Sequence, residues 1–119
     1  MHDIRAIRDD PRAFDAALAR RGLPPQSPAI LALDGERRGF IQASEAALAR
    51  VNSLSKEAGA AKARGDNAEF ERLRDQVSII KDMSAASLKR AKERDRALDD
   101  LLLTIPNLPA PDVPDGADE

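Results

Sequence analysis

Ala61-Lys62-Ala63-Arg64-Gly65-Asp66-Asn67-Ala68-Glu69-Phe70 is the stretch on which the fold of this chain turns. Arg64 places a cation at the end of one helix, and Gly65 suits the left-handed conformation that terminates it. Asp66, with Glu69 three residues later, has the spacing of a capping box that starts a second helix. Outward from this break, apolar and small residues recur at alternating three- and four-residue intervals on both sides, which is the pattern of a coiled-coil seam. Before the turn the stripe is Leu33, Arg37, Phe40, Ser44, Ala47, Val51, Leu54, Ala58 and Ala61. After it the stripe is Phe70, Leu73, Val77, Ile80, Ser84, Ser87, Ala91, Arg94, Leu98, Leu101 and Ile105.

A tight turn centred between Gly65 and Asp66 requires facing residues whose numbers add to 131. The two stripes, read separately, meet that condition: Leu33 with Leu98, Phe40 with Ala91, Ser44 with Ser87, Ala47 with Ser84, Val51 with Ile80, Leu54 with Val77, Ala58 with Leu73 and Ala61 with Phe70. The sequence therefore predicts an antiparallel helical hairpin whose limbs are each on the order of 50 Å long at 1.5 Å per residue. Small residues at Ser44, Ala47, Ser84 and Ser87 let the helices approach closely at mid-seam. Arg37 and Arg94 break the seam rule, and their long stems can carry the charge past apolar neighbours.

Ahead of the hairpin, Asp3 is placed to cap a short helix from Ile4 to about Asp9, and Asp10-Pro11 is a cap followed by proline that opens a second, closed by Gly22. Leu23-Pro24-Pro25-Gln26 is an extended connector, and Ser27-Pro28 repeats the cap-then-proline signal at the first long limb. Ile30, Ile41 and Leu48 form a second apolar strip beside the seam, on which Ile7, Phe14 and Leu18 are candidates to pack. The expected fold is all-α: a long antiparallel two-helix coiled-coil hairpin with two short N-terminal helices packed at its base. The short helices fall at about residues 3–21 and the long ones at about 27–64 and 67–104, giving a helical domain over 1–104. Residues 105–119 hold four prolines, four acids and no base, which makes them a Pro-rich acidic linker to a domain beyond.

With 119 residues, 42% of them hydrophobic, 34% charged and 3% aromatic, the chain suits one helix-rich domain. The absence of Cys removes disulfides, thiolate metal sites and cysteine nucleophiles together. No apolar run reaches signal or transmembrane length, so a cytoplasmic protein without membrane contact is expected. His2 is a solvated terminal side chain on this reading, because one His without Cys neighbours builds no zinc site. Asp9-Asp10 and Asp99-Asp100 are adjacent pairs that point to different helix faces, so they suit caps or surface rather than acid–base chemistry. No phosphate loop, catalytic triad or metal-ligand spacing is present, and the chain alone is expected to carry no catalytic residue, cofactor or metal.

The formal net charge of −2 hides a division. Residues 34–104 carry fourteen Lys or Arg against thirteen Asp or Glu, but the bases cluster. Arg50, Lys56, Lys62 and Arg64 approach the turn against Glu57 alone, and a second group around Lys89, Arg90, Lys92, Arg94 and Arg96 lies across from Arg37 and Arg38. Two basic zones roughly 25 to 30 Å apart along the helices suit a polyanion backbone. With no Trp or Tyr and three core-type Phe, such a surface reads shape and phosphates rather than stacked bases. The alternative is a coiled-coil module that docks another protein through its charged faces.

The opening Asp3-Ile4-Arg5-Ala6-Ile7-Arg8-Asp9-Asp10-Pro11, the run Leu33-Asp34 with Arg37-Arg38, and Asn52-Ser53-Leu54-Ser55-Lys56-Glu57-Ala58-Gly59 with Lys62 and Gly65 resemble the N-terminal domain of bacterial-type seryl-tRNA synthetases. The tail Ile105-Pro106-Asn107-Leu108-Pro109, with Val113-Pro114 and Gly116-Ala117-Asp118-Glu119, is similar to that family's junction to its catalytic domain. Ala58 and Ala60 depart from the pattern, standing where a larger aliphatic residue and a lysine are usual. The resemblance implies a homodimeric class II ligase that activates serine with ATP and magnesium in a domain outside these residues. It also implies that this arm, monomeric by itself, holds tRNA-Ser by its long variable arm and elbow. The residues expected to contact tRNA phosphates are Arg37, Arg38, Arg50, Lys56, Lys62 and Arg64, with Arg90 and Lys92 in addition.

Overall fold

The computed structural model describes residues 3–106, and within them the secondary structure is entirely helical. Helix α1 spans Ile4–Asp9, α2 Pro11–Arg20, α3 Ser27–Ala63 and α4 Asn67–Leu103. His2 and residues 107–119 of the expected linker lie outside the described residues. The chain divides into two compact units, one joining the residues up to Glu36 to those from Arg94 onward, the other spanning Arg37–Glu93.

In the first unit, Ile7 of α1 and Leu18 of α2 are buried together with Ile30, Leu98, Leu102 and Ile105, and Phe14 packs against this cluster. Of the expected apolar strip, Ile30 alone joins it, whereas Leu48 is 46% exposed and Ile41 is half-buried in the other unit. The reason is size. Six residues of α1 and ten of α2 cover few turns of helix, and α4 supplies the rest of the apolar surface. Asp34 is almost fully buried, with its carboxylate 3.2 Å from Arg8 Nε, so a charge taken from water is compensated across elements.

The short helices are capped as their residues dictate. Asp3 accepts from the Arg5 amide at 2.9 Å, and Asp10 accepts from the Ala13 amide at 3.0 Å, ahead of Pro11. Gly22, at φ +75°, ends α2: its amide bonds to the Ala19 carbonyl, and the Leu23 amide reaches back to Leu18. The start of α3 differs from the expected serine cap. Ser27 is the first helical residue, and the cap is Asp15 of α2, which accepts from the Gln26 amide at 3.1 Å and the Ser27 amide at 3.0 Å. The Ser27 hydroxyl donates to the second Asp15 oxygen at 2.5 Å, so it is spent on the carboxylate rather than on its own helix.

The second unit is the hairpin itself. Every expected seam position from Arg37 to Ala91 is buried or half-buried. Leu54, Ala58, Ala61 and Leu73 form one buried cluster with Phe70, Val77 and Ile80 packed on it, which brings three of the expected facing pairs together. At the turn, Gly65 has φ +79°. The Asp66 amide bonds to the Ala61 carbonyl at 2.9 Å and the Gly65 amide to Lys62 at 3.1 Å, the paired bonds of a Schellman termination. Asp66 accepts from the Glu69 amide at 3.2 Å, but the other half of the expected box does not form. With the Asp66 amide committed to Ala61, the Glu69 carboxylate turns to Arg72, 2.8 Å from Nε.

At mid-seam the hydroxyls of Ser44 and Ser84 lie 2.8 Å apart, both buried. Direct pairing by residue sum placed Ser44 against Ser87 and Ala47 against Ser84. The bond is instead diagonal, because a seam side chain sits among several residues of the facing helix rather than opposite one.

Candidate nucleic-acid interface

The hairpin unit positions its cations by helix periodicity alone, since residues seven apart recur on nearly the same side. Residues that immediately precede the seam's first position in each heptad fall on one side, and those that follow its second position fall on the other. Arg50 and Arg64 stand on the first side of α3, Lys62 on the second, and Lys56 on the surface opposite the seam. All four are exposed, so the turn-proximal zone surrounds the hairpin rather than forming one face.

Several of these cations have local partners. Arg64 Nη2 is 3.9 Å from Asp66, with both side chains near half exposed, a geometry that contributes little to stability. Lys62 Nζ stands 5.3 Å from the centroid of the Phe70 ring, and the Arg90 guanidinium 5.9 Å from that of Phe40. Each ring therefore holds a cation in place by the attraction of its electron-rich face. Arg50, Lys56 and Lys92 are exposed and form no ion pair among the described residues.

Arg38 is exposed, whereas Arg37 occupies a seam position and is half-buried. The second basic zone is dispersed around α4: Arg94 is drawn into an ion pair with Glu36, 3.3 Å between Nε and Oε2, while Lys89, Arg90, Lys92 and Arg96 are exposed on several sides. Arg72 is bound to Glu69. The hydrogen bond from Arg72 is the main cause holding the Glu69 carboxyl below its ordinary pKa, and the same bond raises that of Arg72.

Two further exposed cations, Arg74 and Lys81, follow seam residues Leu73 and Ile80 seven positions apart on one side of α4. Clustering along the sequence does not single them out, since Glu71, Asp75 and Asp82 surround them in the chain; periodicity turns Asp75 and Asp82 onto other sides, whereas Glu71 stays beside Arg74. None of the three phenylalanines is exposed, and among the described residues no group of three His, Asp or Glu is placed to hold a metal ion.

No helix of the described residues is long and apolar enough to cross a membrane. The fold and its surface define an all-α coiled-coil hairpin domain that exposes many charges and a few aliphatic side chains but no phenylalanine. The chain belongs to the seryl-tRNA synthetase N-terminal domain family, whose pattern matches residues 1–109. It is 63% identical to the serine-tRNA ligase of Ruegeria pomeroyi, 60% to that of Paracoccus denitrificans and 59% to that of Roseobacter denitrificans. Each comparison covers the whole of this chain and 28% of the relative, so the chain spans little more than a quarter of the proteins it matches.

Proposed function

We propose that this domain is the tRNA-holding arm of a serine-tRNA ligase, and that it binds tRNA-Ser along the long variable arm and elbow. The observation that carries this reading is the hairpin surface of a family member, where exposed Lys and Arg stand on a helical pair and each phenylalanine is half-buried. Without exposed rings, unpaired bases have nothing to stack on, so recognition falls to phosphates and to the shape of a duplex. The contacts are drawn from Arg38, Arg50, Lys56, Lys62 and Arg64, with Arg90, Lys92 and the end of the Arg37 side chain. Serine activation with ATP and magnesium belongs to a class II catalytic domain of the whole enzyme, a homodimer, and the arm supplies substrate binding to it.

The test is tRNA affinity measured against salt in the full-length enzyme. A steep loss of affinity with salt is expected, because each neutralised phosphate releases counterions. Deleting the variable stem should remove the preference for tRNA-Ser, while changing its base pairs at constant length should have little effect. Strong dependence on stem sequence, or binding indifferent to the stem, would overturn the reading.

A further inference from the structure

The two sides of the hairpin differ in charge. Because α3 and α4 run antiparallel, residues that follow the seam's second position on one helix lie beside those that do so on the other. That rule puts Lys62 and Ser55 of α3 on the same side as Arg74 and Lys81 of α4, and all four are exposed. Toward lower α3 numbers the side continues as Leu48 and Leu88, 46% and 42% exposed. From Leu48 to Lys62 and from Arg74 to Leu88 its positions carry no carboxylate, and Glu71, one turn before Arg74, borders it. The opposite side has as many cations, Arg50, Arg64 and Arg90, but Glu57 and Glu69 stand among them.

We infer that the side bearing Lys62, Arg74 and Lys81 is the face that lies on RNA phosphates, with Arg74 and Lys81 as binding residues. Lys62 lies level with the first turn of α4, so the three cations rise in steps of roughly 7 to 10 Å along the hairpin. Those steps match the Debye length of about 8 Å at physiological salt, so the charges reinforce one potential without strong mutual repulsion. Lys62 is seated against Phe70, and Lys81 has no ion pair among the described residues. Arg74 meets Glu71 at 3.9 Å with both side chains more than 60% exposed, a contact that a phosphate can displace. Leu48 and Leu88 end the row and limit the contact to the part of the hairpin nearer the turn.

This inference rests on the arm being an RNA binder, and the experiment separates the two. In the full-length enzyme, Lys62→Gln, Arg74→Gln and Lys81→Gln are combined in one variant, and Arg50→Gln, Arg64→Gln and Arg90→Gln in another. Affinity for a tRNA-Ser transcript is then measured from low to high salt, with helix content and melting checked for both. The first variant should lower the salt slope by roughly two to three units and the second by less, because Glu57 and Glu69 offset its cations. Equal losses, or a larger loss in the second, would overturn the assignment of the face while leaving the arm an RNA binder. Parent-like slopes in both variants would overturn the assignment and remove both sides flanking the seam as phosphate-binding surfaces.

Discussion

Asp15 of α2 holds the first turn of α3 through Ser27, taking the serine's backbone amide on one carboxylate oxygen and its hydroxyl on the other. Two elements separated by a proline-containing connector are thereby joined at a helix terminus, where unpaired amides and the helix dipole both favour an anion. Burial acts to raise the Asp15 pKa. The hydrogen bonds from the Ser27 side chain, the Ser27 amide and the Gln26 amide outweigh it, so the carboxyl lies below its ordinary 3.8.

Asp15→Ala should destabilise the domain by about 1–2 kcal/mol at neutral pH, the usual cost of losing a cap with charge-assisted bonds. A depressed folded pKa means the contribution is fully present above 3.8 and is lost as pH falls through the folded value. Urea melts of parent and variant should therefore differ at pH 7 and converge in strong acid. A constant gap across that range would show that the carboxylate's charge is irrelevant.

Gly65→Ala and Gly59→Ala should move stability in opposite directions. Neither added methyl meets an atom within 4 Å, so backbone conformation alone decides. At Gly65, φ +79° is unfavourable for alanine by about 1 kcal/mol. Gly59 lies inside α3, where alanine should stabilise by about 0.5–1 kcal/mol. Thermal melts of the two single variants compare the signs directly.

Ser84→Ala should cost about 1 kcal/mol, since it leaves the buried Ser44 hydroxyl without its mate, and Ser44→Ala should cost less, because the Ser84 hydroxyl still reaches the backbone carbonyl of residue 44 at 3.4 Å. The double variant should cost less than the two added together, because it leaves neither oxygen stranded. Strict additivity in a double-mutant cycle would mean that the pair does not couple the helices.

Leu54→Asp should destabilise by about 3 kcal/mol or more, as it buries a lone carboxylate in the cluster beside Leu73. Val77→Asp should cost less, because Val77 is only half-buried and the charge can reach water. Parent-like melting of both would show that the seam register is wrong.

The fold's local parts were legible in the chain because their causes are local. Gly65 and Asp66 end one helix and start the next through bonds spanning three to five residues, and Asp3 and Asp10 cap by the same short-range means. The seam was legible from Leu54 to Leu73 because a tight turn converts periodicity on two helices into a single pairing rule. For the candidate surface, the chain shows which cations are present but not which of them share a side. Clustering along the sequence groups Lys56 with Lys62 although helix geometry parts them, and acidic neighbours hide the side that Arg74 and Lys81 share with Lys62.

What the amino-acid order determined by itself is thus the helices, their ends and the antiparallel seam, since each follows from conformational preferences and from 3.6 residues per turn. Tertiary structure alone decided that Asp15 rather than Ser27 caps α3, and that Asp34 pairs with Arg8. It also decided that Ser44 bonds Ser84 diagonally and that Lys62 and Arg90 rest on phenylalanine rings. Each of these joins residues of different helices, through contacts a few ångströms long whose partners only the packing of one helix on another can select.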